Sequence, residues 1–383
     1  MSKNDDFWLY HNGDKNNMPD LELPEDLIIE PEVQEEKPSQ LIKDEVDVAF
    51  NFAFIGAGQG GSRIAETFHK IGYRRVAAIN TAQQDLNSVG FENKKCIGDG
   101  GAGKDPSVAE QLYNNNKEDV LDFLKYSFGE GVDKIFVCVG AGGGSGAGTM
   151  EPLVRSSKEL QEANKSRSNK VGVILALPKY SEGKKVCANA IATLERANKL
   201  VEEGIVSPLI VVDNEKITKM YPSLSVTKFW HTANMSVAGV FHLFNMISAK
   251  DSSYTSFDKT DYETVLESGN LIFGTSKVKD YSDPISVARS VRENLKNNLL
   301  SGGFDLKTGN MAAAVAIAST ETLDNIPESS LDAAFDQLNR LLGEGSTVHR
   351  GVYSGNKPDL TIFTTVGGLA KPTEKIEELK TQT

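Results

Sequence analysis

The chain has 383 residues, 39% hydrophobic and 25% charged, enough for the cores of two domains of ordinary size. Its formal net charge of −12 argues against nucleic acid as the main partner, and no apolar run reaches the roughly 18 residues that span a bilayer. Cys96, Cys138 and Cys187 are too few and too far apart for a disulfide framework or a metal cluster, which together with the absence of a signal peptide points to a cytoplasmic protein without membrane insertion.

Residues 1–47 hold 14 acidic side chains against 4 lysines, with Pro19, Pro24, Pro31 and Pro38 spaced along them. This composition predicts a largely disordered acidic extension. Its short apolar patches, Phe7 to Tyr10 and Leu27 to Ile29, could dock on a protein partner, although a solubilising tail is the simpler reading.

From Val48 the pattern changes. Apolar runs at 48–55, 76–79, 135–139, 171–177 and 209–212 read as buried strands. Helical patterns lie at 59–71, 107–126, 149–165, 184–203 and 232–249. Such alternation predicts an α/β fold with a parallel, Rossmann-like sheet covered on both faces. Further strands are expected at 271–274, 311–318, 347–353 and 360–365, with helices at 284–299 and 328–342. These form a second, smaller α/β domain joined through a central helical stretch at 232–268. The expected divisions are therefore 1–47, a nucleotide-binding domain at 48–249, a loop and connecting helix at 250–269, a C-terminal domain at 270–370 and a short charged tail at 371–383.

Two glycine-rich loops carry the chemistry. The first strand runs into Gly56-Ala57-Gly58-Gln59-Gly60-Gly61 and then a helix. Glycine lets the backbone approach a phosphate, and a helix N-terminus offers unpaired N–H groups. The same spacing fits the dinucleotide fingerprint of an NAD-dependent oxidoreductase, but that reading wants an acid at the end of the second strand, where Asn80-Thr81 stands. Strand 135–139 leads into Gly140-Ala141-Gly142-Gly143-Gly144-Ser145-Gly146-Ala147-Gly148. So many glycines should oppose any regular element, which makes close backbone approach to a ligand the expected reason for them. Two such loops at strand ends can grip one polyphosphate from both sides.

The run Gly142 to Gly148 resembles the G-G-G-[TS]-G-[ST]-G signature of the tubulin/FtsZ superfamily, with Ala147 for a hydroxyl residue. The likeness continues through Asn80-Thr81, through Gly100-Gly101-Ala102-Gly103-Lys104-Asp105-Pro106 and through Pro178 to Lys185, and covers about residues 48–370. The resemblance implies GTP/GDP as the ligand, Mg²⁺ on its phosphates, and a site built from Gly56, Gly58, Gln59, Gly60, Gly61, Asn80, Thr81, Gly101, Ala102, Gly103, Gly142, Gly143, Gly144, Ser145 and Gly146. It also implies Glu182 at the ribose, Asn214 and Asn234 on the guanine edge, and Trp230 stacked on the base. Amides can both donate to and accept from guanine, and an aromatic face suits stacking.

In that family the catalytic carboxylates come from the next subunit, on an N-x-D-x-x-D loop. Here Ser256-Phe257-Asp258-Lys259-Thr260-Asp261 is similar to it, with Ser256 for Asn. As isolated residues, Asp258 and Asp261 before a helix would read as N-terminal caps. The resemblance thus implies a GTPase that assembles head-to-tail with copies of itself into filaments. The alternative it leaves is a tubulin-like structural or regulatory protein that binds GTP with negligible hydrolysis. Val186 stands where cell-division members carry an Arg that reaches the nucleotide, and the tail past the last strand is short. Both departures point to a divergent prokaryotic, archaeal or phage-encoded member.

Overall fold

The computed structural model describes residue 44, residues 46–297 and residues 303–383, so most of the predicted acidic extension, with both apolar patches, lies outside the described residues. Ten strands form one sheet: β1 (Phe52–Ala57), β2 (Val76–Asn80), β3 (Lys94–Cys96), β4 (Lys134–Gly140), β5 (Val171–Leu177), β6 (Val206–Asp213), β7 (Asn270–Val278), β8 (Met311–Ala318), β9 (Thr347–Ser354) and β10 (Leu360–Leu369). Their order is β3-β2-β1-β4-β5-β6-β7-β10-β8-β9. Strands β1 to β7 run parallel, and β10 inserts antiparallel between β7 and β8. The two halves anticipated from the sequence share this sheet through a narrow seam, Leu209 with Asn270 and Ile210 with Leu271.

Apolar strands need cover on both faces. One face carries α1 (Gly58–Ile71), α8 (Val226–Ile247) and α9 (Lys259–Leu266), packed around Phe54, Phe68, Phe241 and Tyr262. The other carries α3 (Pro106–Asn115), α4 (Lys117–Phe128), α5 (Gly144–Ala163), α6 (Lys184–Glu202), α10 (Pro284–Asn297) and α12 (Glu328–Leu341). Short helices α2 (Gln83–Asn87), α7 (Asn214–Met220) and α11 (Thr320–Leu323) sit at loop ends.

Three expectations change. The single helix expected at 107–126 is broken at Asn116, whose amide donates to the Leu112 carbonyl (2.8 Å) and so competes with the helical ladder. The second glycine loop is not free of regular structure. Helix α5 starts inside it, at Gly144, because Gly144, Gly146 and Gly148 pack where no Cβ would fit. The predicted charged tail instead forms α13 (Thr373–Lys380), which buries Ile376, Leu379 and Lys375 against the body.

Candidate functional site

Every loop singled out from the glycine pattern lies at the edge where β1, β2, β4, β5 and β6 end, and the loops interlock. A Cβ at Gly58 would lie 2.7 Å from the Gly146 nitrogen, and one at Gly146 would meet the carbonyls of Ala57 and Gly140 at 2.9 Å each. A Cβ at Gly144 would press on Ala102 and Asp105, both at 2.9 Å. The Thr81 and Ser145 hydroxyls are 2.6 Å apart, and the Gly101 N–H donates to the Thr81 carbonyl at 3.1 Å. From α6, the Asn189 amide ties two loops together by donating to the carbonyls of Lys104 (3.1 Å) and Gly142 (3.2 Å).

The glycines therefore divide by role. Gly56 makes room for the start of α1 at Ser62, Gly61 for strand β4 at Cys138, and Gly142, Gly144 and Gly146 for the neighbouring loops, whereas Gly143 and Gly103 are exposed with open space where a side chain would stand. Gly58 (φ +67°) and Gly101 (φ +82°) meet a backbone need that few other residues satisfy. Val186 is buried against Gly142, so its position is a packing contact of this loop.

Helices α1, α5 and α6 all begin at this edge, from Ala57, Gly143 and Gly183, and none has a side-chain cap. Their first N–H groups remain without the side-chain oxygen that usually serves a helix start. In contrast Asp105 caps α3, Ser225 caps α8 and Asp213 caps α7. Adjacent uncapped helix ends form an anion seat, with the backbone dipoles favouring negative charge.

Beside that seat, Asn214 (4% exposed) and Asn234 (8% exposed) make no side-chain hydrogen bond among the described residues. Buried amides are ordinarily paired. Two left open, one where β6 gives way to α7 and one in α8, suit a ligand edge carrying donors and acceptors. Asn80, by contrast, is spent on its own turn: it donates to Asp85 at 3.2 Å and accepts from the Ala82 N–H at 3.3 Å. Glu182 is exposed and accepts from the Lys179 N–H at 2.8 Å, which leaves it at the surface of the cluster. Trp230 is half-buried, with the Arg63 guanidinium 5.4 Å and the Lys179 ammonium 5.8 Å from its ring centre. Gln59 is exposed on the first turn of α1.

Arg63, Lys179 and Asn189 were not singled out from the sequence. Lys179 lies within the quoted Pro178 to Lys185 segment, but nothing in the spacing marks the other two.

Asp258 and Asp261 lie elsewhere. They open α9 as a reciprocal cap: the Asp261 N–H donates to Asp258 (2.9 Å) and the Asp258 N–H to Asp261 (3.2 Å). Next to them the Lys259 ammonium sits 4.5 Å over the ring of Phe50, just before β1 begins. At about 3.3 Å per residue, Phe50 and Gly58 are about 25 Å apart along the strand, so the carboxylates and the glycine loops occupy opposite ends of the sheet. Their loop is templated by β9. The Tyr353 hydroxyl accepts from the Phe257 N–H (2.8 Å) and donates to its carbonyl (3.1 Å), the Val352 N–H donates to Thr255 (2.8 Å), and His349 Nδ1 lies 2.8 Å from Asp261.

Among the described residues no group of three or more His, Cys, Asp or Glu side chains could hold a metal ion, and no helix is long and apolar enough to cross a membrane.

Comparison with known proteins gives consistent results. The sequence model of the tubulin/FtsZ family GTPase domain matches residues 51–222, and that of the C-terminal domain of TubZ-like tubulin/FtsZ-like proteins matches residues 244–380. The tubulin-like protein TubZ of Bacillus cereus is 28% identical over 242 residues, a stretch covering 58% of this chain and about half, 52%, of that relative. The cell division protein FtsZ of Haloferax mediterranei is 25% identical over 305 residues, covering 76% of this chain and 74% of that protein. Among solved structures, the GTPγS-form protofilament of Bacillus thuringiensis serovar israelensis TubZ superposes with a TM-score of 0.77 at 20% identity, covering 88% of this chain and 92% of that one. That likeness is one of fold.

Proposed function

Since the chain belongs to the tubulin/FtsZ family, we propose that it binds GTP at the interlocked loops, assembles head-to-tail with itself, and hydrolyses GTP at sites completed by Asp258 and Asp261 of the adjoining copy. The observation that carries this reading is the separation of its two halves. Uncapped helix ends and unengaged Asn amides lie at one end of the sheet, and a carboxylate pair lies at the other. A copy cannot bring its own Asp258 to its own phosphates across about 25 Å of strand, whereas stacking one copy on the next can.

In this scheme the α1 and α5 N-termini hold the phosphates through backbone N–H groups, and the exposed Gly143 admits them closely. Asn214 and Asn234 read the guanine edge, and Trp230 packs on its face. Glu182 faces the ribose. Mg²⁺ would be held chiefly by phosphate oxygens and water, with the part-exposed Ser145 hydroxyl as a nearby protein oxygen, and it would supply charge neutralisation. Asp258 has one carboxylate oxygen uncommitted among the described residues, which suits it to orient an attacking water, while Asp261 is held on both oxygens by Asp258 and His349.

A second reading, GTP binding without appreciable turnover, draws on the same cap, because both carboxylates already have structural work. Hydrolysis per subunit measured across protein concentration separates the two. Asp258→Asn is the informative variant, since Asn caps a helix as well as Asp while removing the charge. A rate that rises above a threshold concentration, and is lost in Asp258→Asn with GTP still bound, supports the assembling GTPase. A flat, negligible rate with GTP bound supports the scaffold and overturns the catalytic role.

A further inference from the structure

Lys375 is a buried cation that neither the glycine loops nor the carboxylate pair accounts for. It stands on α13, with its side chain 3% exposed. Its ammonium makes three contacts: Asp213 Oδ2 at 2.7 Å, the Tyr180 hydroxyl at 2.8 Å and Glu378 Oε2 at 3.1 Å. Burial alone would favour loss of its proton, but Asp213 and Tyr180 outweigh that and hold its pKa above the usual lysine value.

Two of these partners belong to different loops of the site. Asp213 ends β6 and caps α7 by accepting from the N–H groups of Glu215 (3.0 Å) and Lys216 (3.3 Å), so it fixes where Asn214 starts the helix. Tyr180 lies in the turn after β5 that ends in Glu182, and its N–H donates to Glu215 at 3.0 Å. One ammonium thus joins the loop carrying Asn214 to the loop carrying Glu182. It comes from a segment 162 positions beyond Asp213 in the chain.

We infer that Lys375 is a positioning residue for the guanine end of the nucleotide site, and that docking of α13 is a condition of guanine recognition. The inference rests on the proposed function for the identity of the ligand. Removing the ammonium leaves the buried Asp213 carboxylate, at the cap of α7, without its directly bonded counter-charge and with only the more distant Lys216 opposite it. Asp213 must then turn toward water, carrying the start of α7 and the Asn214 amide with it. The phosphate seat at α1 and α5 is untouched, so the loss should fall on the base.

The test uses the full chain below its assembly concentration, with titrations of GTP and of ITP, which lacks the exocyclic amine of guanine. Lys375→Met should weaken GTP binding by about tenfold and ITP binding by less, narrowing the discrimination, while Lys375→Arg restores most of both. Native GTP affinity in Lys375→Met, or equal losses for GTP and ITP, would overturn the inference. If Lys375→Met does not fold, Tyr180→Phe decides, because it deletes only the hydroxyl bridge. A loss of about threefold in GTP affinity supports the clamp, and native affinity overturns it. A native chain that binds no GTP would overturn the proposed function, and this inference with it.

Discussion

The glycines of the second loop permit a prediction in which the folding role and the binding role have opposite signatures. Gly148 lies inside α5, where helix propensity alone would favour alanine by about 1 kcal/mol. A Cβ there would collide with the Pro106 carbonyl oxygen and lie 2.8 Å from the Ala109 Cβ, both in α3. Helices α3 and α5 must separate to admit it. Overpacking typically costs about 1–3 kcal/mol, and a clash with a backbone carbonyl stands at the upper end, so, less the propensity gain of about 1 kcal/mol, Gly148→Ala should be destabilised by up to about 2 kcal/mol net. Gly143 has nothing within 4 Å of its would-be Cβ and an extended backbone, φ −80° and ψ 168°. There the poorer cap and the stiffer unfolded chain offset one another, and Gly143→Ala should keep its stability within about 0.5 kcal/mol. Its methyl would stand in the open space assigned to phosphate, so GTP affinity should fall while folding does not. Urea unfolding without nucleotide, followed by GTP titration, reads both quantities. Gly148→Ala as stable as the native chain would refute the packing argument. Native GTP affinity in Gly143→Ala would remove the phosphate from that position.

Two further predictions follow from buried histidine and from β9. His242 is 3% exposed beside Tyr73 (3.2 Å), and burial, aided by Lys250, lowers its pKa from 6.5 to about 4. The folded value lies below the unfolded one, so this stabilisation is complete above about pH 6.5 and is lost as pH falls toward 4, by about 3 kcal/mol in all. His242→Asn should flatten that part of the stability–pH curve measured by urea unfolding, and an unchanged slope would count against it. On β9, His349→Ala removes the ring whose Nδ1 lies 2.8 Å from the Asp261 carboxylate; at under about 1 kcal/mol for such a partly exposed contact, assembly-dependent turnover should fall about threefold with GTP affinity unchanged. Native turnover in that variant would show that Asp261 needs no such support.

Where the sequence was legible, burial made it so. Strands β4, β5 and β8 lie inside the sheet with both faces covered, so an unbroken apolar run was enough to find them. Strand β3 is three residues at the sheet edge, Lys94-Lys95-Cys96, and such a strand carries no apolar signal. Helix α13 was read as a charged tail because only Ile376 and Leu379 mark its buried face, the third buried position being a lysine whose partner is in β6. The start of α5 was missed because glycine propensity is a local quantity, while the reason for Gly144, Gly146 and Gly148 is contact with loops far away in sequence. The site loops themselves were found at strand ends. What spacing could not give is which glycine faces outward, or that Asn80 is consumed by its own turn while Asn214 and Asn234 are left open.

The shared sheet also bears on why a nucleotide half and a C-terminal half should be fused at all. The loop holding Asp258 and Asp261 rests on β9 through Val352, Tyr353 and His349, at the far edge of the C-terminal strands. The nucleotide loops rest on β1 to β6. Helix α8 runs past both, with Trp230 and Asn234 near its start and Asn245, near its end, bonded to both Phe50 N–H (2.9 Å) and Phe50 carbonyl (3.0 Å) just before β1. At about 1.5 Å per residue its 22 residues span about 33 Å, enough to cover the about 25 Å that separates the two ends of the sheet. Under the proposed assembly, a carboxylate that serves the next copy must stand at a fixed distance from the nucleotide of its own copy, or successive sites along a filament would not register. One continuous sheet with a single long helix laid along it supplies that fixed spacing, which two domains on a flexible linker would not.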